Sequence, residues 1–120
     1  MKIRDLRTLL LTVPIPKDLQ YASDIGTIQS RSAAIVMIET DEGITGYGEA
    51  LGPPQVMKAI IEHQLKPLLV GEDPTRTTYL WEKMYNVARL GLALYYGRTM
   101  PEGGVPGEKM RAMSGIDVAV

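Results

Sequence analysis

No cysteine occurs anywhere in the 120 residues, which excludes disulfides, thiolate nucleophiles and cysteine-based metal sites. A cytoplasmic location is the expectation that fits this. Excess charge is missing too. Thirteen Lys and Arg stand against fourteen Asp and Glu, for a formal charge of -1, so nothing draws the chain to nucleic acid or to an anionic lipid surface. Long hydrophobic runs are equally lacking. Leu9-Leu10-Leu11 is too short for a signal-peptide core and no small-residue cleavage site follows it. No stretch approaches the roughly 20 apolar residues that span a bilayer. Histidine appears once, as His63, without carboxylate or histidine partners at ligand spacing, and reads as a surface or boundary residue of a helix. Gly46, Gly48 and Gly52 miss the spacing of a dinucleotide-binding loop and follow a hairpin instead of opening a βαβ unit. There is no internal repeat.

What is present reads as strands first and helices afterwards. Residues 2–13 alternate as a strand, with Leu9, Leu11 and Val13 on one face and Leu6, Thr8, Leu10 and Thr12 on the other. Pro14 and Pro16 end it, because neither can donate to a sheet ladder. Residues 17–31 are polar and aperiodic, a loop with Gly26 as its hinge, and a loop of that length is more often functional than idle. Ala33–Thr40 is a second strand, apolar on both faces and so expected to be covered on both. Asp41-Glu42-Gly43 turns the chain, and Ile44–Ala50 returns as a third strand in which Gly46 and Gly48 mark a place where another element packs close to the backbone.

The period then becomes helical. Pro53 and Pro54 suit a helix start. Val56, Ile60 and Gln64 form one stripe, Met57, Ile61, Leu65 and Leu68 lie beside it, and Lys58, Glu62 and Lys66 make a charged face. Pro67 is expected to disfavour helix at Lys66, with Gly71 closing the segment. Asp73-Pro74 reads as the N-cap and first residue of a second helix, with Thr77, Leu80, Trp81, Met84, Tyr85 and Ala88 on its apolar face. The glycines and prolines from Gly91 to Gly107 read as a mobile loop or broken helical connection. Helical spacing resumes through Met110, Met113, Asp117 and Val120. On that stripe Asp117 is expected to make a structural contact, since a buried carboxylate must be paired. The fold class is therefore α+β: a three-stranded antiparallel meander followed by a small helical bundle, in one domain over residues 1–120.

The ordered residues Val13-Pro14, Gly26-Thr27 and the hairpin Ile35-x-Met37-x-x-Thr40-x-x-Gly43-x-x-Gly46-x-Gly48-Glu49 carry a resemblance. So do Leu65-x-Pro67-Leu68-Leu69-x-Gly71-x-Asp73-Pro74 and Ser114-Gly115-Ile116-Asp117-x-Ala119. Together they resemble the N-terminal capping domain of the enolase superfamily, in its mandelate racemase and muconate lactonizing enzyme branch. The resemblance implies a cap over a modified (β/α) barrel, which needs about 250 residues and is not within these 120. It implies an enzyme in which a Lys or His base removes the proton α to a carboxylate while Mg²⁺ stabilises the enediolate. Base and metal ligands belong to the barrel, so no residue here inherits a catalytic or metal-binding role and the chain alone is expected to be inactive. A small hydroxy-acid or acid-sugar carboxylate as substrate, the chain's own barrel and a homo-oligomer are the partners implied.

Two loops, 15–31 and 49–54, correspond to the family's lids. The resemblance implies substrate contacts from Tyr21, Asp24, Ile25 and Leu51, with Glu49 at the rim. Glu49, Tyr21 and Ile25 each have a plainer reading: Glu49 as the end of a strand, Tyr21 and Ile25 as residues that pin down their loop. No cationic residue lies between Asp18 and Ser30, so this loop offers nothing of its own to bind a carboxylate. The alternative to a capping domain is a stand-alone α+β module that binds a small ligand or a protein partner without catalysis.

Overall fold

The computed structural model describes residues 1–95 and 107–120 of the chain, with side chains placed through Asn86 and again from Gly107. Its elements are β1 (Ile3–Pro14), a 3₁₀ turn (Lys17–Leu19), β2 (Tyr21–Ser23), β3 (Gly26–Ile28), β4 (Ser30–Thr40) and β5 (Thr45–Ala50). The helical part comprises α1 (Pro54–Ala59), a π-helical stretch (Ile60–Leu65), α2 (Lys66–Leu69), α3 (Thr77–Tyr95) and α4 (Gly107–Ala119). Strands β1, β4 and β5 form an antiparallel sheet in that order, and β2 pairs with β3 in a separate hairpin. The architecture is α+β, as the alternation predicts.

Register assigns the two faces. Leu6 lies opposite Ile38, Thr8 opposite Val36, and Val36 opposite Gly48, so these share the inner face, where Leu6, Val36 and Ile38 are buried. A register shift between Ile3 and Asp5 lets Ile3 and Leu6 both turn inward despite their odd spacing. Asp41-Glu42-Gly43 makes the turn with Gly43 at φ 82°, a left-handed value that favours glycine.

Helices cover the inner face only. Met57, Ile60, Ile61, Leu65 and Leu69 from the first helical run, Leu80 and Met84 from α3, and Ala112, Met113, Ile116 and Ala119 from α4 complete the core. Helix α4 sits almost on the backbone of β5. A methyl group placed at Gly46 would lie 1.8 Å from the Ala119 carbonyl oxygen, and one at Gly48 would lie 2.1 Å from that of Gly115. The close approach expected at these two glycines is there. The outer face carries Ile35 and Met37 half-buried and Leu9, Leu11, Val13 and Tyr47 exposed, so β4 is covered on one side, not two.

Other expectations shift in detail. The first helix does not stop before Pro67, because Lys66 is helical at φ -52°, ψ -47° and its N–H donates to Ile61. That is a π-type bond five residues back, and the widened turn accommodates a proline that would otherwise clash with the preceding turn. Val56 and Gln64 are exposed, and the buried stripe runs through Met57, Ile61, Leu65 and Leu69. The charged face serves the edge of β1: Glu62 Oε1 accepts the Thr8 N–H at 3.0 Å and Lys66 pairs with Asp5 at 2.6 Å, which blunts an otherwise open strand.

Asp73 does not cap α3. Its Oδ1 accepts from the Thr75 N–H at 2.9 Å and hydroxyl at 2.7 Å, closing a turn through Pro74 ahead of a helix that begins at Thr77. On α3 Leu80 and Met84 are buried and Trp81 and Tyr85 pack against them, while Thr77 is exposed. The side chain of Ala88 lies outside the described ones. Residues 91–95, expected to be irregular, continue α3, while 96–106 lie outside the described residues and Gly107 opens α4. Asp117 is exposed on α4 and lines a shallow hollow with Thr77, Thr78 and Trp81, so it needs no buried partner. His63 is exposed, as expected of a surface position. Among the described residues no helix is long and apolar enough to cross a membrane.

Candidate functional site

Strands β1 and β4 are twelve and eleven residues long, while β5 has six and pairs only as far as Ala34↔Ala50. Beyond that point β1 and β4 continue as a two-stranded arm, pairing to Pro14↔Ser30. The helix layer does not follow them. On the inner face Leu10 and Thr12 are exposed there, and on the outer face, away from the helices, Leu11 is 50% and Val13 63% exposed. The β2–β3 hairpin stands at the end of this arm. Gln20 Nε2 donates to the Ile15 carbonyl at 3.0 Å, and the Ile15 N–H donates to that of Gln29 at 2.8 Å, so the hairpin is tied at its base. Its turn is held by Ser23, whose hydroxyl donates to the Gly26 carbonyl at 3.1 Å and accepts the Ile25 N–H at 3.3 Å.

The residues singled out from the sequence fall into three places. Asp24 and Ile25 form the tip of the hairpin, and Ile25 is 86% exposed. Tyr21 sits at the hairpin base opposite Ile28. Glu49 lies on the outer face of β5 opposite Ile35, and Leu51 follows exposed just beyond it. Residues 17–31, read from the sequence as an aperiodic loop, are thus a 3₁₀ turn, a short hairpin and the first two residues of β4.

Arg31 was not among them. It begins the outer-face row of β4 opposite Val13, and its guanidinium lies 5.5 Å from the centre of the Tyr21 ring, within range of a cation–π contact. With Leu11, Val13, Ser32, Ala33 and Glu49 it lines a hollow of about 350 Å³. So Arg31 touches Tyr21 and shares the hollow with Glu49, while Tyr21, Asp24 and Ile25 lie outside its lining. The signal in the sequence was slight, a lone arginine one position past the end of the loop. Only strand register turns it toward the hollow.

Along residues 7–120 the chain matches the family model for the N-terminal domain of mandelate racemase and muconate lactonizing enzyme. The chain belongs to this family. It is 32% identical to the D-galactarolactone cycloisomerase of Agrobacterium fabrum over 120 residues, covering all of this chain and 28% of that protein. Against the arabinonate dehydratase of Saccharolobus solfataricus it is 35% identical over 122 residues, covering 98% of this chain and 30% of the other. Among solved structures, an enolase-superfamily member from Polaromonas sp. JS666 superposes with a TM-score of 0.76 at 28% identity, over 99% of this chain and 28% of that one. A racemase from Streptomyces coelicolor with bound magnesium gives 0.74 at 25% identity, over 98% and 30%. The chain thus spans under a third of the length of these relatives.

Membership in an enolase-superfamily branch implies magnesium. Its residues do not fit that role here, because among the described ones no three His, Asp or Glu side chains converge, and Glu49 shares its hollow with Arg31, a cation that would repel a metal ion. What the capping domain does offer is a hairpin arm, an uncovered apolar strand face and two separate opposite charges, Arg31 and Glu49, at the arm's foot.

Proposed function

We propose that this chain is the substrate-capping and specificity portion of a Mg²⁺-dependent enzyme that removes the proton α to a carboxylate of a hydroxy acid or acid sugar. Its relatives are named as a cycloisomerase, a dehydratase and a racemase, and the family resemblance implies that such reactions share that first step and differ in how it is finished. The supporting observation is the arm: β1 and β4 carry the β2–β3 hairpin past the helix layer, with Leu10 and Thr12 exposed on the inner face and Leu11 and Val13 on the outer. In the full enzyme the outer face lies against the barrel, and the hairpin tip with Asp24 and Ile25, together with Leu51 beyond β5, closes over bound substrate and excludes water. Metal and base belong to the barrel. The 120-residue chain by itself is inactive, and the whole enzyme works in the cytoplasm as a homo-oligomer.

The test is α-proton exchange. The native gene product, stripped of metal and resupplied with Mg²⁺ in D₂O, is incubated with five- and six-carbon acid sugars and followed by proton NMR. Loss of the α-proton signal only with metal present is the expected result. Exchange by the isolated 120-residue chain, or by the native product with none of the acids, would overturn the reading.

A further inference from the structure

The hollow at the foot of the arm holds two opposite charges that do not neutralise each other. Arg31 is rooted on β4 opposite Val13, and Glu49 on β5 opposite Ile35. Arg31 and Ile35 are four strand steps apart, so the roots of the two charged side chains lie about 13 Å apart along the sheet. Neither side chain has a hydrogen-bonded or ionic partner among the described residues. Arg31's one contact of that kind is the Tyr21 ring, which steadies the guanidinium from one face and leaves its N–H edge free. Leu11, Val13 and Ala33 make the rest of the lining apolar, which strengthens any ionic contact once the hollow is closed to water.

Resting on the function proposed above, we infer that this hollow reads the end of the substrate remote from the reacting carbon. Arg31 binds a second anionic group there, and Glu49 accepts hydrogen bonds from hydroxyls between the two ends. The carboxylate beside the reacting carbon is engaged by the chemistry in the barrel, so a cation on the cap is of use only to a second charge. A guanidinium edge fits a carboxylate in two parallel hydrogen bonds. The preferred substrate is therefore an acid sugar charged at both ends.

The experiment compares galactarate and glucarate, six-carbon diacids, with galactonate and gluconate, their one-acid counterparts, using the full native enzyme with Mg²⁺. The wild-type enzyme should favour a diacid in kcat/KM by about 10- to 100-fold, the range of a charge-assisted pair. Arg31→Met should raise KM for the diacid by that factor with kcat little changed, and leave monoacid kinetics within about twofold. Arg31→Lys should recover part of the loss, because it restores charge without the paired geometry. Equal damage to both acids would assign Arg31 to the stability of the arm and overturn the inference, as would wild-type preference for a monoacid. Exchange with neither class of acid would overturn the proposed function and this inference together, whereas exchange without discrimination at Arg31 overturns the inference alone.

Discussion

Asp5 and Lys66 meet at the free edge of β1 with Lys66 Nζ 2.6 Å from the carboxylate. That hydrogen bond chiefly holds the Asp5 carboxyl below its ordinary value of 3.8; partial burial opposes it, and the Leu6 N–H and the Lys66 and Arg7 charges add to it. A lowered folded value means that the pair contributes stability above about pH 4 and loses it as the pH falls through that lowered value. Both side chains are about a third exposed, so solvent screening keeps the contribution under about 1 kcal/mol. Lys66→Met should therefore lower stability slightly at pH 7 and by less at pH 2.5. Urea denaturation at both pH values checks this, since guanidinium chloride would screen the pair. A deficit that persists undiminished in acid would mean that Lys66 acts through the packing of its aliphatic stem. Residue identity alone made Lys58, Glu62 and Lys66 a charged helix face, but only the structure shows two of them spent on the β1 edge.

Strand β5 and helix α4 depend on each other's missing side chains. The methyl of a residue at Gly48 would overlap the Gly115 carbonyl at 2.1 Å, and one at Gly115 would meet Ala50 at 2.8 Å. Backbone atoms cannot step aside, so α4 must lift from the sheet and uncover Met113 and Ile116. Gly48→Val should cost about 3 kcal/mol or more, the upper range of overpacking, and appear as a large fall in the urea midpoint. Tyr47→Val, one residue away on the exposed outer face, should change stability by no more than about 1 kcal/mol. Similar effects at the two positions would refute the packing account. That these glycines admit a close neighbour is readable from their place in a strand. Which neighbour, and that it is α4 from seventy residues further on, is not. The helix that runs through Pro67 was also out of reach, because a π-type turn depends on where Leu65 and Leu69 must be buried.

The molecule as a whole is less compact than its length allows. Its radius of gyration is 16.5 Å, against about 13–14 Å for a compact chain of this size, and the arm with its hairpin accounts for part of the excess. Leu9, Leu11, Val13 and Tyr47 are all exposed on the outer sheet face, a patch of the kind that monomeric proteins seldom leave open. The 120-residue polypeptide should accordingly self-associate as its concentration rises, and the double variant Leu9→Lys, Leu11→Lys should do so less. Sedimentation velocity over a tenfold concentration range measures this. Equal association by the two proteins would place the adhesive surface elsewhere.

Alternation and turn chemistry in the sequence determined the three long strands, their faces, the Gly43 turn and the presence of three helical regions, because these follow from local periodicity and backbone sterics. The ordered motifs from Val13 to Ala119 determined the family. The tertiary structure alone decided how far β1 and β4 outrun the helices, which face stays bare, and that Arg31 stands over Tyr21 beside Glu49. Those are consequences of register between strands distant in sequence, and register is set by the burial of the whole inner face at once, not by any residue's neighbours along the chain.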